Sequence, residues 1–245
     1  MDMENKDKTV RLDKFLSDAG IVSRRGVKQL LKKEEITVNG KRVRESGTRI
    51  IAGKDKIEIN GYPVKKPGKV YFILNKPIGY ISTTSDELYR ENVVSLIDTP
   101  ERIYPIGRLD KDTHGLILLT NDGELTHKLI HPRYHVNKTY LLKIKGTVKP
   151  IQLKILREGV MLEDGITLPA TVDIESVKSD KTVLKMTIHE GRNRQIRRMC
   201  EALGLELLDL QRIEFGPLRL GKLKAGEYRN LTKTELESLK KSANF

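Results

Sequence analysis

The chain has 245 residues, 38% hydrophobic and 32% charged, and its 46 Lys and Arg against 33 Asp and Glu give a formal net charge of +13. That length suits one or two domains with a real core, while a single cysteine, Cys200, excludes a disulfide scaffold or a cysteine-built zinc site and fits a reducing compartment. The longest apolar runs, such as residues 116–119, fall far short of the about 20 residues a membrane span needs, and the opening MDMENKDKTV lacks the apolar stretch of a secretory signal, so a cytoplasmic protein without a membrane partner is expected.

The charge is uneven. Residues 1–70 hold 18 basic and 10 acidic side chains, and the remainder hold 28 and 23. This reads as a small basic module joined to a larger body. A basic surplus favours a polyanionic partner, because phosphates that meet Lys and Arg release condensed counterions.

In chain order, residues 1–9 are polar and expected to fray. Residues 11–19 place Leu12, Phe15, Leu16 and Ala19 at helical spacing, and Gly20 ends the run. Ser23 reads as the N-cap of a second helix carrying Val27, Leu30 and Leu31. Ile36 to Val38, then Asn39-Gly40, then Val43 reads as strand, tight turn, strand. Ile57 and Ile59 alternate around Glu58, and Asn60-Gly61 turns again. Residues 61–69, with two Pro, two Gly and three Lys, read as a linker. The expected domains are therefore 10–68 and 69–245.

The second unit opens with an apolar strand at 70–74 and a short helix near 93–97. Strands at 104–107 and 116–120 flank a polar turn. A helix at 122–130 places Leu125 and Leu129 four residues apart, and a strand follows at 139–145. Pro150 opens a helix through Leu156. Residues 172–177 and 183–188 form an antiparallel pair, residues 193–203 a helix ended by Gly204, and 205–215 a strand. The last helix begins with a capping box, Thr232 with Glu235. Strands outnumber helices without strict alternation, so the class is α+β rather than doubly wound.

In the basic module, Arg24, Arg25 and Lys28 sit at the start of the second helix, where free N–H groups already attract anions. Lys41, Arg42 and Arg44 add charge beside the hairpin turn. With no aromatic platform between them, these residues suit a structured RNA backbone better than unstacked bases. A merely solvated basic helix is the plainer reading. The ordered pattern R-L-D-x-x-L, S-R-R and V-N-G resembles the S4 RNA-binding domain. That resemblance implies a helix–helix–hairpin fold in which Arg11, Ser23, Arg24, Arg25 and Lys28 contact RNA, with Lys41 beside them.

Residues 107–115 read GRLDKDTHG, a polar loop between two apolar strands. An acidic pair is electrostatically awkward in a protein built for phosphates, unless Arg108 and Lys111 offset it. On the residues alone, Asp110 could equally cap the turn or pair with Arg108, and Asp112 is not excluded from chemistry. The segments GRLDKDTHGLILLTNDG, K-T-Y and EGRNRQIRRM, in that order after an S4 pattern, resemble the RsuA/RluB/RluE/RluF branch of the pseudouridine synthases. The resemblance implies a catalytic domain with a mixed, mostly antiparallel central sheet. It also implies a reaction in which the N1–C1′ bond of a uridine is broken and the base rejoined through C5, with no cofactor.

By the same resemblance Asp110 is the nucleophile, Tyr140 stacks on the base and helps to deprotonate C5, and Arg197 pairs with Asp110. Arg108 takes the place of the flipped base or binds a phosphate, and Arg192 and Arg194 contact RNA. The expected partner is ribosomal RNA or a pre-ribosomal particle, with a large-subunit site favoured by GRNRQIRRM and GEYRNLT, and the protein acts as a monomer. The rival readings are a non-catalytic ribosome-assembly factor and a nucleic-acid glycosylase. His127, His131 and His135 are spaced four apart, but Pro132 should end the helix, so no metal is expected.

Overall fold

The computed structural model describes residues 9–84 and 90–244, and the backbone falls into two compact units. The opening residues expected to fray lie outside the described ones, except Thr9. The first unit runs to Val70 and also takes in Thr99–Ile103, while the second comprises Tyr71–Asp98 and Tyr104–Phe245.

The first unit contains β1 (Thr9–Arg11), α1 (Leu12–Asp18), α2 (Val27–Lys33), β2 (Ile36–Val38), β3 (Lys41–Arg42), β4 (Arg49–Ile51), β5 (Ile57–Ile59) and β6 (Tyr62–Pro63). Four strands pair in the order β3-β2-β5-β6, and β1 pairs antiparallel with β4. The predicted apolar spacing becomes the core: Leu12, Phe15, Leu16 and Val27 from the helices meet Ile36, Ile50 and Ile57 from the strands. Asn39 and Asn60 adopt φ of 51°, followed by Gly40 and Gly61 at 75° and 82°. Two consecutive positive-φ residues are what a tight twisted hairpin demands, which accounts for both Asn-Gly pairs.

Two details differ from the sequence reading. The second helix begins at Val27 rather than just after Ser23, yet Ser23 Oγ accepts from Gly26 N (3.1 Å) and its carbonyl accepts from Val27 N (3.2 Å). Ser23 thus caps a turn that leads into the helix, and Arg24 and Arg25 ride on that turn. The expected linker also contributes β6, because Tyr62 and Pro63 continue the hairpin turned by Asn60-Gly61.

The second unit contains β7 (Tyr71–Lys76), β8 (Tyr104–Ile106), β9 (His114–Thr120), α3 (Gly123–Ile130), β10 (Lys138–Lys145), α4 (Pro150–Glu158), β11 (Met161–Leu162), β12 (Gly165–Ile166), β13 (Thr171–Lys178), β14 (Lys181–Ile188), α5 (Gln195–Ala202), β15 (Leu207–Phe215), β16 (Leu218–Arg219), β17 (Tyr228–Asn230) and α6 (Lys233–Ser242). The residues near 93–97 form a 3-10 turn, Val93–Leu96. One sheet runs β13-β14-β10-β15-β9-β7-β17, with β16 beside β15 and β8 beside β9. Every pair in it is antiparallel except β15 with β9. The expected mixed, mostly antiparallel sheet of an α+β protein is the one observed.

Ile73, Leu116 and Leu118 from neighbouring strands pack on Leu125 and Leu129 of α3 and Leu239 of α6. The helix signals hold locally. Asp122 Oδ1 accepts from Leu125 N at the start of α3, and Thr232 and Glu235 form the reciprocal capping box of α6.

Candidate active site

The parallel pairing of β9 with β15 sets the site. Gly115 lies opposite Arg212 across that pair, Arg212 lies opposite Tyr140 across β15 and β10, and Gly115 lies opposite Lys76 across β9 and β7. Four residues distant in sequence therefore form one row across the sheet. The row needs a glycine. Gly115 has φ of +105°, and a Cβ there would sit 2.2 Å from the carbonyl oxygen of Arg212.

The loop 107–113 enters β9 and carries Asp110. Its shape is held from several sides. Thr113 N donates to Asp110 O (3.1 Å), and Gly79 N donates to Lys111 O (2.8 Å). Ser82 Oγ accepts from Leu109 N (3.0 Å) and donates to Leu109 O (2.8 Å). The fully buried Lys76 donates from Nζ to Thr113 O (2.7 Å) and Pro77 O (3.0 Å). Burial pushes the Lys76 ammonium down to about 8, against the upward pull of Asp110 and Asp112.

Across the loop stands the start of α5. Arg194 caps this helix in the left-handed region (φ 46°). Its guanidinium reaches both oxygens of Asp112 (3.2 and 3.3 Å) and lies 4.0 Å from the Asp110 carboxylate. Arg197 donates to Asp112 O (2.9 Å) and Thr113 Oγ1 (3.2 Å), and its Nε lies 3.2 Å from the Asp112 carboxylate. Burial opposes ionisation of Asp112, yet the Arg194 hydrogen bond and the charges of Arg197 and Arg194 hold its pKa below the ordinary carboxylate value. Ile196 and Met199 of α5 are buried and anchor it.

Asp110, Tyr140 and Arg197 line one cleft of about 530 Å³, together with Arg108, Lys138, Arg192, Arg194, Arg212 and Phe215. The expected direct pairing of Arg197 with Asp110 is absent. The turn closed by Thr113 and Asp110 carries Asp112, not Asp110, onto the start of α5, so Arg197 grips the loop two residues downstream. The guanidinium nearest Asp110 is that of Arg194.

Arg192, expected to contact RNA, is engaged within the protein. Its guanidinium donates to Glu190 (3.0 Å) and to the carbonyls of Asp164 (3.2 Å), Gly165 (2.9 Å) and Ile166 (2.7 Å), so it ties down the β11–β12 hairpin. Arg198 completes that tie through both oxygens of Asp164. Arg108 is exposed at the cleft.

In the first unit, Ser23, Arg24, Arg25, Lys28 and Lys41 are exposed. Arg11 is drawn onto the buried Asp13, with Arg24 at the edge of the same carboxylate (3.5 Å). Among the histidines, His131 caps the end of α3 with its ring 5.4 Å from that of His127. No group of three His, Cys, Asp or Glu among the described residues could hold a metal.

Lys76, Lys138 and Arg212 were not singled out in the sequence. Their one signal was a cation inside an apolar strand pattern, as in YFILNK and LQRIEF. Burial and the nearby Arg212 charge push Lys138 down to about 8.

Residues 70–202 match the model of the RNA pseudouridylate synthase family, and residues 10–55 match the S4 domain. The chain belongs to the RNA pseudouridylate synthase family. It is 46% identical over 237 residues to ribosomal large subunit pseudouridine synthase B of Bacillus subtilis (strain 168), covering 96% of this chain and 97% of that protein. It is 37% identical over 236 residues to the dual-specificity RNA pseudouridine synthase RluF of Salmonella typhi, covering 95% and 79%. A crystal structure of a pseudouridylate synthase superposes with a TM-score of 0.68 at 32% identity, covering 94% of this chain and 99% of that one. Family membership bears out both resemblances, and the S4 domain supports RNA as the molecule bound.

Proposed function

We propose that this chain isomerises a uridine of ribosomal RNA, with the large subunit preferred, to pseudouridine, and that Asp110 is the nucleophile. The observation that carries the reading is the meeting of Asp110, Tyr140 and Arg197 on one cleft from three separate elements. An extruded uridine entering the cleft meets a carboxylate that can attack carbon or stabilise positive charge at the sugar. Tyr140 supplies a buried aromatic face for the base and a phenol to help remove the C5 proton. Arg197 acts on Asp110 through the loop it clamps. Arg194 adds the positive charge closest to the carboxylate. Arg108, exposed at the cleft mouth, suits a phosphate or the gap left by the flipped base.

The S4 unit, with Arg24, Arg25, Lys28 and Lys41 exposed, supplies sequence-independent grip on structured RNA. This reading implies a cytoplasmic monomer acting on ribosomal RNA or a pre-ribosomal particle. None of the described helices is long and apolar enough to cross a membrane.

The test is pseudouridine mapping of ribosomal RNA from cells with and without the gene, and from cells carrying Asp110→Asn. One site should vanish in both, while the variant keeps nearly unchanged RNA affinity in vitro. A complete pseudouridine map in the absence of the gene rejects the reading. Released free uracil would point instead to a glycosylase.

A further inference from the structure

The floor of the cleft contains a cation that the scheme above leaves without a task. Arg212 is only 2% exposed. Its Nε donates to Leu116 O at 2.7 Å, which fixes the plane of the guanidinium. One terminal nitrogen, Nη2, is buried with no acceptor among the described residues, and no carboxylate there forms an ion pair with the group. The guanidinium carbon stands 5.3 Å from the centre of the Phe215 ring. Arg212 lies opposite Tyr140 in the sheet, and both line the cleft with Asp110. Lys138, whose Nζ donates to Val136 O at 2.9 Å, adds a second cation to the same floor.

Burying a guanidinium without an anion costs several kcal/mol, and an orphaned donor adds to that cost. Such an arrangement makes sense where a ligand brings the missing charge. The isomerisation generates that charge. When the N1–C1′ bond breaks, its electron pair leaves with the base, which becomes an anion delocalised over N1 and the O2 and O4 carbonyl oxygens. The base must then be held while it turns. The C5–C1′ bond next forms with an electron pair from the base, and C5 loses a proton while N1 gains one, so atoms and charge balance without a co-reactant. A preorganised donor aimed at an oxygen where this charge develops lowers the barrier.

We infer that Arg212 is a base-binding catalytic residue, whose unpartnered Nη2, uncovered by a small side-chain shift as the base enters, takes a uracil carbonyl oxygen and stabilises the detached base anion. This rests on the isomerase reading above. A backbone phosphate is the other anion RNA could offer, but Arg212 is only 2% exposed and lies deep in the cleft, beside the residue proposed to stack on the base. That position suits a flat, inserted base better than a bulky hydrated phosphate.

The test uses the full chain and an RNA fragment containing the uridine that wild-type protein converts. Single-turnover rates and RNA affinity are measured for wild type and Arg212→Gln, with thermal unfolding as a check on folding. The substrates carry uridine, 2-thiouridine or 4-thiouridine at the target. Arg212→Gln should bind RNA within about twofold of wild type and convert uridine about 100-fold or more slowly. Sulfur is a weak acceptor, so one of the two thio substitutions should slow wild type but add little to the loss in the variant. Equal slowing of wild type and variant by both thio substrates, an unchanged rate, or a loss explained by weaker RNA binding would each overturn the inference. If Arg212→Gln does not fold, Arg212→Lys carries the same cycle under the same criteria. Absence of wild-type turnover on ribosomal RNA would reject the isomerase reading itself, whereas the thio cycle, a ratio within active protein, judges Arg212 alone.

Discussion

Replacing Gly115 by alanine probes how the sheet positions the chemistry. Two costs separate because a second glycine has nearly the same φ. Gly115 and Gly165 have φ of +105° and +100°, but a Cβ at Gly165 meets nothing within 4 Å, whereas one at Gly115 would stand 2.2 Å from Arg212 O and 2.8 Å from Arg212 N. The Arg212 carbonyl oxygen is therefore about 1.2 Å inside ordinary contact, and since it is backbone in a packed strand it cannot rotate away. Strain at an unfavourable φ costs about 1–3 kcal/mol in either variant. Overpacking adds about 1–3 kcal/mol for Gly115→Ala alone, a large share of a domain stability of about 5–15 kcal/mol. The displacement also falls on the strand that follows the Asp110 loop and on the partner strand opposite Tyr140. A shift of about 1 Å there should slow turnover about 100-fold. Urea unfolding together with single-turnover conversion of a ribosomal RNA fragment measures both effects. The reasoning is refuted if Gly115→Ala matches Gly165→Ala in stability and turns over at the wild-type rate.

Further tests address the neighbouring charges. Asp112→Asn weakens the grip of Arg194 and Arg197 on the loop but leaves the Asp110 carboxylate, so single-turnover rates should fall by about tenfold, far less than for Asp110→Asn. A complete loss would move the nucleophile's role toward Asp112. Arg192→Ala removes the donors that tie the β11–β12 hairpin, and should lower unfolding free energy by about 1–3 kcal/mol while the salt dependence of RNA binding stays unchanged. A reduced salt slope would mean that Arg192 contacts phosphate after all. Lys76 and Lys138, each pushed from 10.5 to about 8, disfavour the folded state while charged. Below pH 8 that penalty is fully present. Between pH 8 and 10.5 the unfolded chain binds more protons, so stability should gain from their deprotonation as pH rises. Denaturant titrations across that window should give a flatter pH slope for Lys76→Met than for wild type, and an identical slope would contradict the burial argument.

The chain on its own determined the local features. Asn39-Gly40 and Asn60-Gly61 specified their turns, because two adjacent positive-φ residues suit few other pairs. Thr232 with Glu235 announced the last helix through side chains that satisfy its first free N–H groups. Family motifs marked Asp110, Tyr140 and Arg197, which share one cleft. What the sequence could not convey was which charge meets which. Asp110 and Asp112 are two residues apart, and only the turn closed by Thr113 decides that Arg197 grips the second. Arg192 looks like another free cation in GRNRQIRRM until a hairpin some thirty residues upstream claims it. Arg212 acquires its place from the parallel pairing of β15 with β9, a contact between segments almost a hundred residues apart. Turns and caps are settled by bonds a residue makes with its near neighbours, and so are written in short stretches of chain. The partners of a charge are settled by strand order and register, which depend on the whole sheet closing around its core.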